Sequence, residues 1–114
     1  MKSPMKRCDD LWARIVKDRA GNVCERCGSV KRVSAHHIIP RTCFTLRHDL
    51  ENGVALCYYH HIGGRNAAHK DALGFSQWIS ERRDVNYLNG RRHSQTKQDY
   101  KLIEIYLIQK LEGI

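Results

Sequence analysis

The chain carries seven histidines and five cysteines in 114 residues, and their spacing says more than their number. Cys24-Glu25-Arg26-Cys27 and Cys57-Tyr58-Tyr59-His60 each place two metal-binding side chains where one tight turn can aim both at a single ion. Together they offer three thiols and one imidazole, a Cys3His set suited to a closed, tetrahedral structural zinc site. A redox role for Cys24-x-x-Cys27 would need a thioredoxin-like strand-to-helix setting, which Gly21-Asn22-Val23 does not supply. The odd cysteine count also argues against a disulfide framework. Cys8 and Cys43 stand outside the set and read as reduced, partly buried thiols.

The elements that must hold these groups follow from the apolar pattern. Leu11-Trp12 and Ile15-Val16 recur at helical spacing, so Asp10 to Arg19 reads as an amphipathic helix with Gly21 as its stop. Val33 to Ile39 has strand composition and is closed by Pro40; Val54-Ala55-Leu56 is a second short strand entered from an Asn52-Gly53 turn. Arg41 to Glu51 between them reads as loop. A helix is expected beyond Cys57, although Gly63-Gly64 costs about 1 kcal/mol per glycine and can break or delay it. Asp71 to Arg82 reads as helix and Val85 to Arg92 as loop with an Asn89-Gly90 turn. Lys97 to Leu111 reads as a final helix with Thr96 and Asp99 as a capping box. The whole, 1–114, is expected to be one domain, with a core at about 22–70 and a helical C-terminal extension at 71–114.

His36-His37 then close the first strand, Asn52 marks the turn into the second, and His61 directly follows the zinc ligand His60. Adjacent residues on a regular strand point to opposite faces, so His36 and His37 cannot both serve one metal. His61 is likewise directed away from the zinc. His48 and His93 read as scattered surface residues.

Ala35-His36-His37-Ile38-Ile39-Pro40, Glu51-Asn52-Gly53-Val54-Ala55-Leu56-Cys57 and His60-His61, embedded between the two zinc pairs, resemble the HNH endonucleases of the ββα-metal (His-Me finger) superfamily. The resemblance covers about Cys24 to His69 and implies an α+β fold: a ββα-metal core with a structural zinc knuckle and flanking N- and C-terminal helices. It implies that His36 and His61 hold a catalytic divalent metal, that His37 is the general base, and that Asn52 braces the loop and orients that base. His69 is a further candidate ligand. His60 stands where the zinc-bearing members usually have a fourth cysteine, a change that alters the zinc site without losing it. The implied activity is metal-dependent DNA hydrolysis leaving 5′-phosphate and 3′-hydroxyl ends, by nicking or double-strand cutting, with Mg2+, Mn2+ or another divalent cation. The size resembles phage-encoded members, whose roles include homing, attack on host DNA and genome packaging. The chemistry is consistent with the residue types: neutral imidazole, with a pKa of roughly 6.5, suits a base near pH 7, and a divalent cation offsets charge on a leaving oxygen. The alternative is a catalytically silent, zinc-stabilised DNA-binding module; a nonspecific, toxin-like nuclease is a further rival.

Lysine and arginine outnumber aspartate and glutamate by 20 to 12, a net charge of +8 that favours a polyanionic partner. The proposed site makes that partner DNA, met mainly through its phosphate backbone, with Arg41 and Arg65 as candidates for gripping the scissile phosphate. No apolar run is long enough to span a membrane and no secretory signal is seen, so the cytoplasm of a bacterial or phage-infected cell is expected. The last helix is apolar on nearly all sides, which calls for burial on two faces or a homodimer contact.

Overall fold

The structure, a computed structural model, describes residues 1–94 and 96–113, so that Gln95 and Ile114 of the C-terminal extension lie outside the described residues. Its order is α1 (Pro4–Arg19), β1 (Ser34–His37), β2 (Gly53–Leu56), a single wide helical turn (Tyr59–Gly63), α2 (Ala72–Ile79), α3 (Val85–Arg91) and α4 (Tyr100–Glu112). This is an α+β arrangement in which helices surround one small sheet. No described helix is long and apolar enough to cross a membrane.

The first helix starts at Pro4 rather than Asp10. Ser3 caps it by accepting the Lys6 amide, and Pro4 falls in the first turn, where its missing N–H is not needed. Cys8, Trp12, Ile15 and Val16 form its buried stripe. That stripe packs with Leu107, Ile103, Tyr100 and Leu111 of α4 and with Ala35 of β1. The Arg7 guanidinium donates to both Glu104 oxygens, at 2.9 and 3.4 Å, and ties the same two helices at their edge.

β1 and β2 pair antiparallel, with Ser34 opposite Leu56 and His37 opposite Gly53. The first strand is four residues long, shorter than Val33 to Ile39. All four residues of β2 are buried. Val54 and Leu56 join Cys24, Cys57, Phe75 and Ile79 in one core cluster, and α1 covers the other side. At Gly53 a Cβ would collide with the Val16 and Trp12 side chains, so only glycine lets the helix approach the strand this closely.

The helix expected beyond Cys57 amounts to the turn Tyr59–Gly63. The Tyr58 ring fills the space beside Gly63, and the backbone runs on through turns to Lys70. Asp71 caps α2, which ends at Ile79 rather than Arg82. The segment read as loop, Val85 to Arg92, is helical over Val85–Arg91. Asp84 caps it by accepting the Tyr87 amide, and burial of Leu88 outweighs the cost of Gly90. In α4 the cap is Asp99 itself, accepting the Lys101 and Leu102 amides; Thr96 is not the capping residue. Leu107 is buried against α1, while Leu102, Ile105, Tyr106 and Ile108 remain exposed.

His48 is a correction of the sequence reading, because it is buried rather than on the surface. Its Nε2 lies 2.7 Å from Asp9 Oδ1, and Arg47 donates to both oxygens of the same carboxylate at 2.8 Å. Burial raises the Asp9 carboxyl, but hydrogen bonds from Arg47 and His48 outweigh it and hold the group down to about 2. Burial also pushes His48 below its ordinary value, against the opposing pull of Asp9. The folded protein therefore holds His48 neutral where the unfolded chain would take up a proton. Its contribution to stability is complete above the ordinary histidine value and is lost as pH falls below it. His48→Gln, which keeps a donor for Asp9, should lose less stability than wild type between pH 7.5 and 5.5. Urea melts at the two pH values should show the difference.

Candidate functional site

The zinc-type cluster is built by two turns on one core. Gly28 takes the left-handed conformation, φ +78°, and its amide closes the knuckle onto the Cys24 carbonyl at 2.8 Å. The Glu25 amide donates to the Ala55 carbonyl and the Glu25 carboxylate accepts the Ala55 amide, which stitches the knuckle to β2. Arg83 in turn donates to both Glu25 oxygens, at 2.8 and 3.0 Å. As a result Cys24, Cys27, Cys57 and His60 converge, with all ligand atoms within 4.8 Å of one another.

Cys27 Sγ lies 3.7 Å from Cys57 Sγ, and His60 Nδ1 lies 3.7 and 3.5 Å from the sulfurs of Cys24 and Cys57. A tetrahedral zinc with bonds of about 2.3 Å to sulfur and 2.0 Å to nitrogen needs edges of about 3.5–3.8 Å, so the donor set fits that ion. Burial raises the Cys24 thiol, but backbone N–H groups of Cys57, Arg26 and Cys27 outweigh it and bring the group below its ordinary value. Thiolate is the form a metal requires.

A second cluster lies on the other side of His60. His36, His61 and His69 bring one ring nitrogen each within 4.8 Å of the others. The wide turn after Cys57 fixes His61, whose amide donates to the Cys57 carbonyl at 2.8 Å and whose Nδ1 lies 3.0 Å from Ser34 Oγ. The chain then doubles back, and the His69 amide donates to the His61 carbonyl. The Nε2 atoms of His61 and His69 face each other at 3.1 Å. Burial, aided by the neighbouring imidazoles His61, His69 and His37, pushes His36 down to about 3; burial and His69 lower His61. Three converging imidazoles, with His36 and His61 favoured in the neutral form, have the geometry of a cation site.

His37 points away from that cluster. Its ring stacks on Trp12 at 3.9 Å between centroids and 8° between planes. Its Nε2 lies 2.9 Å from the Arg47 carbonyl, which can only accept, so the proton sits on Nε2 and Nδ1 keeps its lone pair. Burial lowers this group, against the opposing effect of the Arg47 carbonyl.

Asn52 is wholly buried. Its Oδ1 accepts the Ile39 amide at 2.7 Å, and its Nδ2 donates to the carbonyls of Ile39 and Leu46 at 3.0 and 3.1 Å. It pins both ends of the loop that carries Arg47 toward His37.

A cleft of about 920 Å3 opens over this site, lined among others by His36, His37, His61, His69 and Arg41. Arg65 is exposed but does not line the cleft, so the structure brings together only one of the two expected phosphate contacts. Trp12, Ser34 and the Arg47 carbonyl were missed by sequence reasoning. Trp12 reads as an ordinary core residue, and a carbonyl has no side-chain signature.

A two-stranded hairpin followed by a helical turn, with one imidazole cluster and one Cys3His cluster around it, defines a ββα-metal fold. The HNH endonuclease family model matches residues 24–63, so that segment is of HNH type. No curated protein and no solved structure matches the chain. The matched segment holds both zinc-type pairs, His36, His37, Asn52 and His61, and stops short of His69.

Replacing Cys24 and Cys57 together by serine should empty the Cys3His cluster. Native mass spectrometry should find one zinc on each wild-type chain and none on the variant, whose thermal midpoint should fall by more than ~10 °C.

Proposed function

We propose that this protein is a metal-dependent DNA endonuclease that hydrolyses phosphodiester bonds, acting in the cytoplasm of a bacterial or phage-infected cell. The observation that carries the reading is the division between adjacent histidines. His36 joins His61 and His69 in a cluster of ligand type, while His37 lines the same cleft with its proton fixed on Nε2. Nδ1 of His37 is then the atom that takes a proton from the attacking water. Trp12 holds the ring plane, the Arg47 carbonyl holds the tautomer, and Asn52 holds the loop that presents that carbonyl. Arg41, at the rim of the cleft, neutralises the phosphate being attacked. His36, His61 and His69 would hold a divalent cation, which would supply Lewis-acid stabilisation of the leaving 3′ oxygen as the P–O3′ bond breaks; that oxygen takes its proton from solvent, giving 5′-phosphate and 3′-hydroxyl ends. Cys24, Cys27, Cys57 and His60 would hold a structural zinc, and the turn they share fixes where His61 begins.

Three imidazoles with no carboxylate form a softer donor set than Mg2+ prefers, so Mn2+, Co2+, Ni2+ and Zn2+ belong in the assay beside Mg2+. As a monomer the protein nicks; paired through the outer face of α4 it would cut both strands, and sedimentation velocity at assay concentration separates the two.

Supercoiled plasmid is the test. Wild-type protein should convert it to open circles in at least one of these metals, and His37→Ala should slow the conversion by ~10²-fold or more at unchanged zinc content. If wild type and His37→Ala leave the plasmid equally intact in every metal, the enzyme is excluded and a silent zinc-stapled DNA-binding module remains.

A further inference from the structure

The cleft has a second wall that the HNH-matched segment does not provide. Residues 24–63 supply His36, His37 and His61 on one side. The facing side comes from α2 and α3 and includes Phe75, Ile79, Asn86, Leu88, Asn89 and Arg92. α3 is held from behind: Leu88 is buried, and Val85 packs on the core. The Asp84 amide donates to the Glu51 carboxylate at 2.8 Å, and the Tyr87 hydroxyl donates to the Asp49 carboxylate. With those contacts made, Asn86, Asn89 and Arg92 succeed one another at helical spacing along the cleft, and all three are exposed.

Arg92 stands where two cavities meet. A neighbouring groove of about 650 Å3, lined by Thr42, Phe44 and Lys97 among others, shares Ile39, Pro40 and Arg92 with the first. The backbone at this junction is fixed to the loop before β2: the Cys43 thiol donates to the Arg92 carbonyl at 3.7 Å and the Thr45 hydroxyl to the Ser94 carbonyl. Among the described residues no aspartate or glutamate lines either cavity, while Arg41, Arg92 and Lys97 do. A surface free of carboxylates, bearing spaced arginines and running out of a proposed phosphodiester site, is complementary to a nucleic-acid backbone.

We infer that the face formed by Asn86 and Asn89 of α3 and its C-terminal cap Arg92 is the second wall of a DNA groove, with Arg92 contacting a phosphate beside the scissile one and the two amides contacting base edges. This rests on the endonuclease reading for the identity of the polyanion. It adds a source of sequence preference, because each amide presents both a donor and an acceptor, whereas phosphate contacts carry no sequence information.

The test is binding alone, so that it does not depend on cleavage. In the full-length His37→Ala protein with its zinc retained, fluorescence anisotropy on short labelled duplexes should show Arg92→Ala weakening binding about fivefold. The slope of log K against log salt should fall by ~1. Arg14→Ala, which removes an exposed arginine of α1 that lines neither cavity, should change neither. Asn86→Ala with Asn89→Ala should narrow the spread of Kd across a panel of duplexes of different sequence. Wild-type affinity and slope in Arg92→Ala, or an equal loss in Arg14→Ala, would overturn the wall. An unchanged spread in the asparagine variant would overturn the base contacts. An inert plasmid in every metal would sink the endonuclease reading and leave these binding results to stand or fall by themselves.

Discussion

A fully buried side-chain amide that lacked partners would cost roughly 1–3 kcal/mol for each orphaned group, and Asn52 spends none of its hydrogen-bonding capacity on water. It bonds both backbone groups of Ile39 and the carbonyl of Leu46, and its own carbonyl accepts the Ile38 amide at 3.0 Å. These bonds close the excursion between the two strands into a fixed loop. Arg47, next to Leu46, is thereby set down where its carbonyl meets His37. Asn52 also leads directly into Gly53, where α1 packs against the strand through a space no Cβ could occupy. One residue therefore fixes the loop, starts the buried strand and sets the position of the helix that supports the catalytic candidate.

The rest of the site follows from the period of a four-residue strand. Alternate residues face opposite ways. Ser34 and His36 face the turn after β2, where Ser34 meets His61 and the ring of His36 lies 4.8 Å from that of His61. Ala35 and His37 face α1, where Ala35 joins the helix core and His37 stacks on Trp12. Two adjacent histidines thus acquire different chemistry from backbone geometry alone. One is set among other imidazoles and held neutral; the other is held by an indole and a carbonyl.

Much of this was legible in the sequence, and what was not has physical reasons. The two zinc-type pairs, the strand histidines and Asn52 could be found because their side chains announce their chemistry at short spacing. The early start of α1 was written in Ser3-Pro4 but hidden because Met5 stands beside the charged Lys6 and Arg7 in its first turn. α3 was obscured by Asn89-Gly90, a strong turn signal overridden by an Asp84 cap and one buried leucine. His48 and Arg65 show the limit of composition. A histidine among polar neighbours proved to be buried against Asp9, and an arginine near the motif does not reach the cleft. Both depend on long-range packing, which no local pattern records.

That packing also explains why residues 24–63 do not make a site unaided. They contain the Cys3His donors, two of the three clustered imidazoles and His37, yet the ring of His37 rests on Trp12, and Arg47 is held by Asp9. Both supports belong to α1. α1 in turn is covered by α4 through Leu107 and tied to it through Arg7 and Glu104. A sheet of two short strands is marginal unless other elements cover it. Here the covering elements also set the orientation of the side chain proposed to move the proton. The C-terminal helix is therefore coupled through α1 to His37, and its packing is part of what fixes that ring.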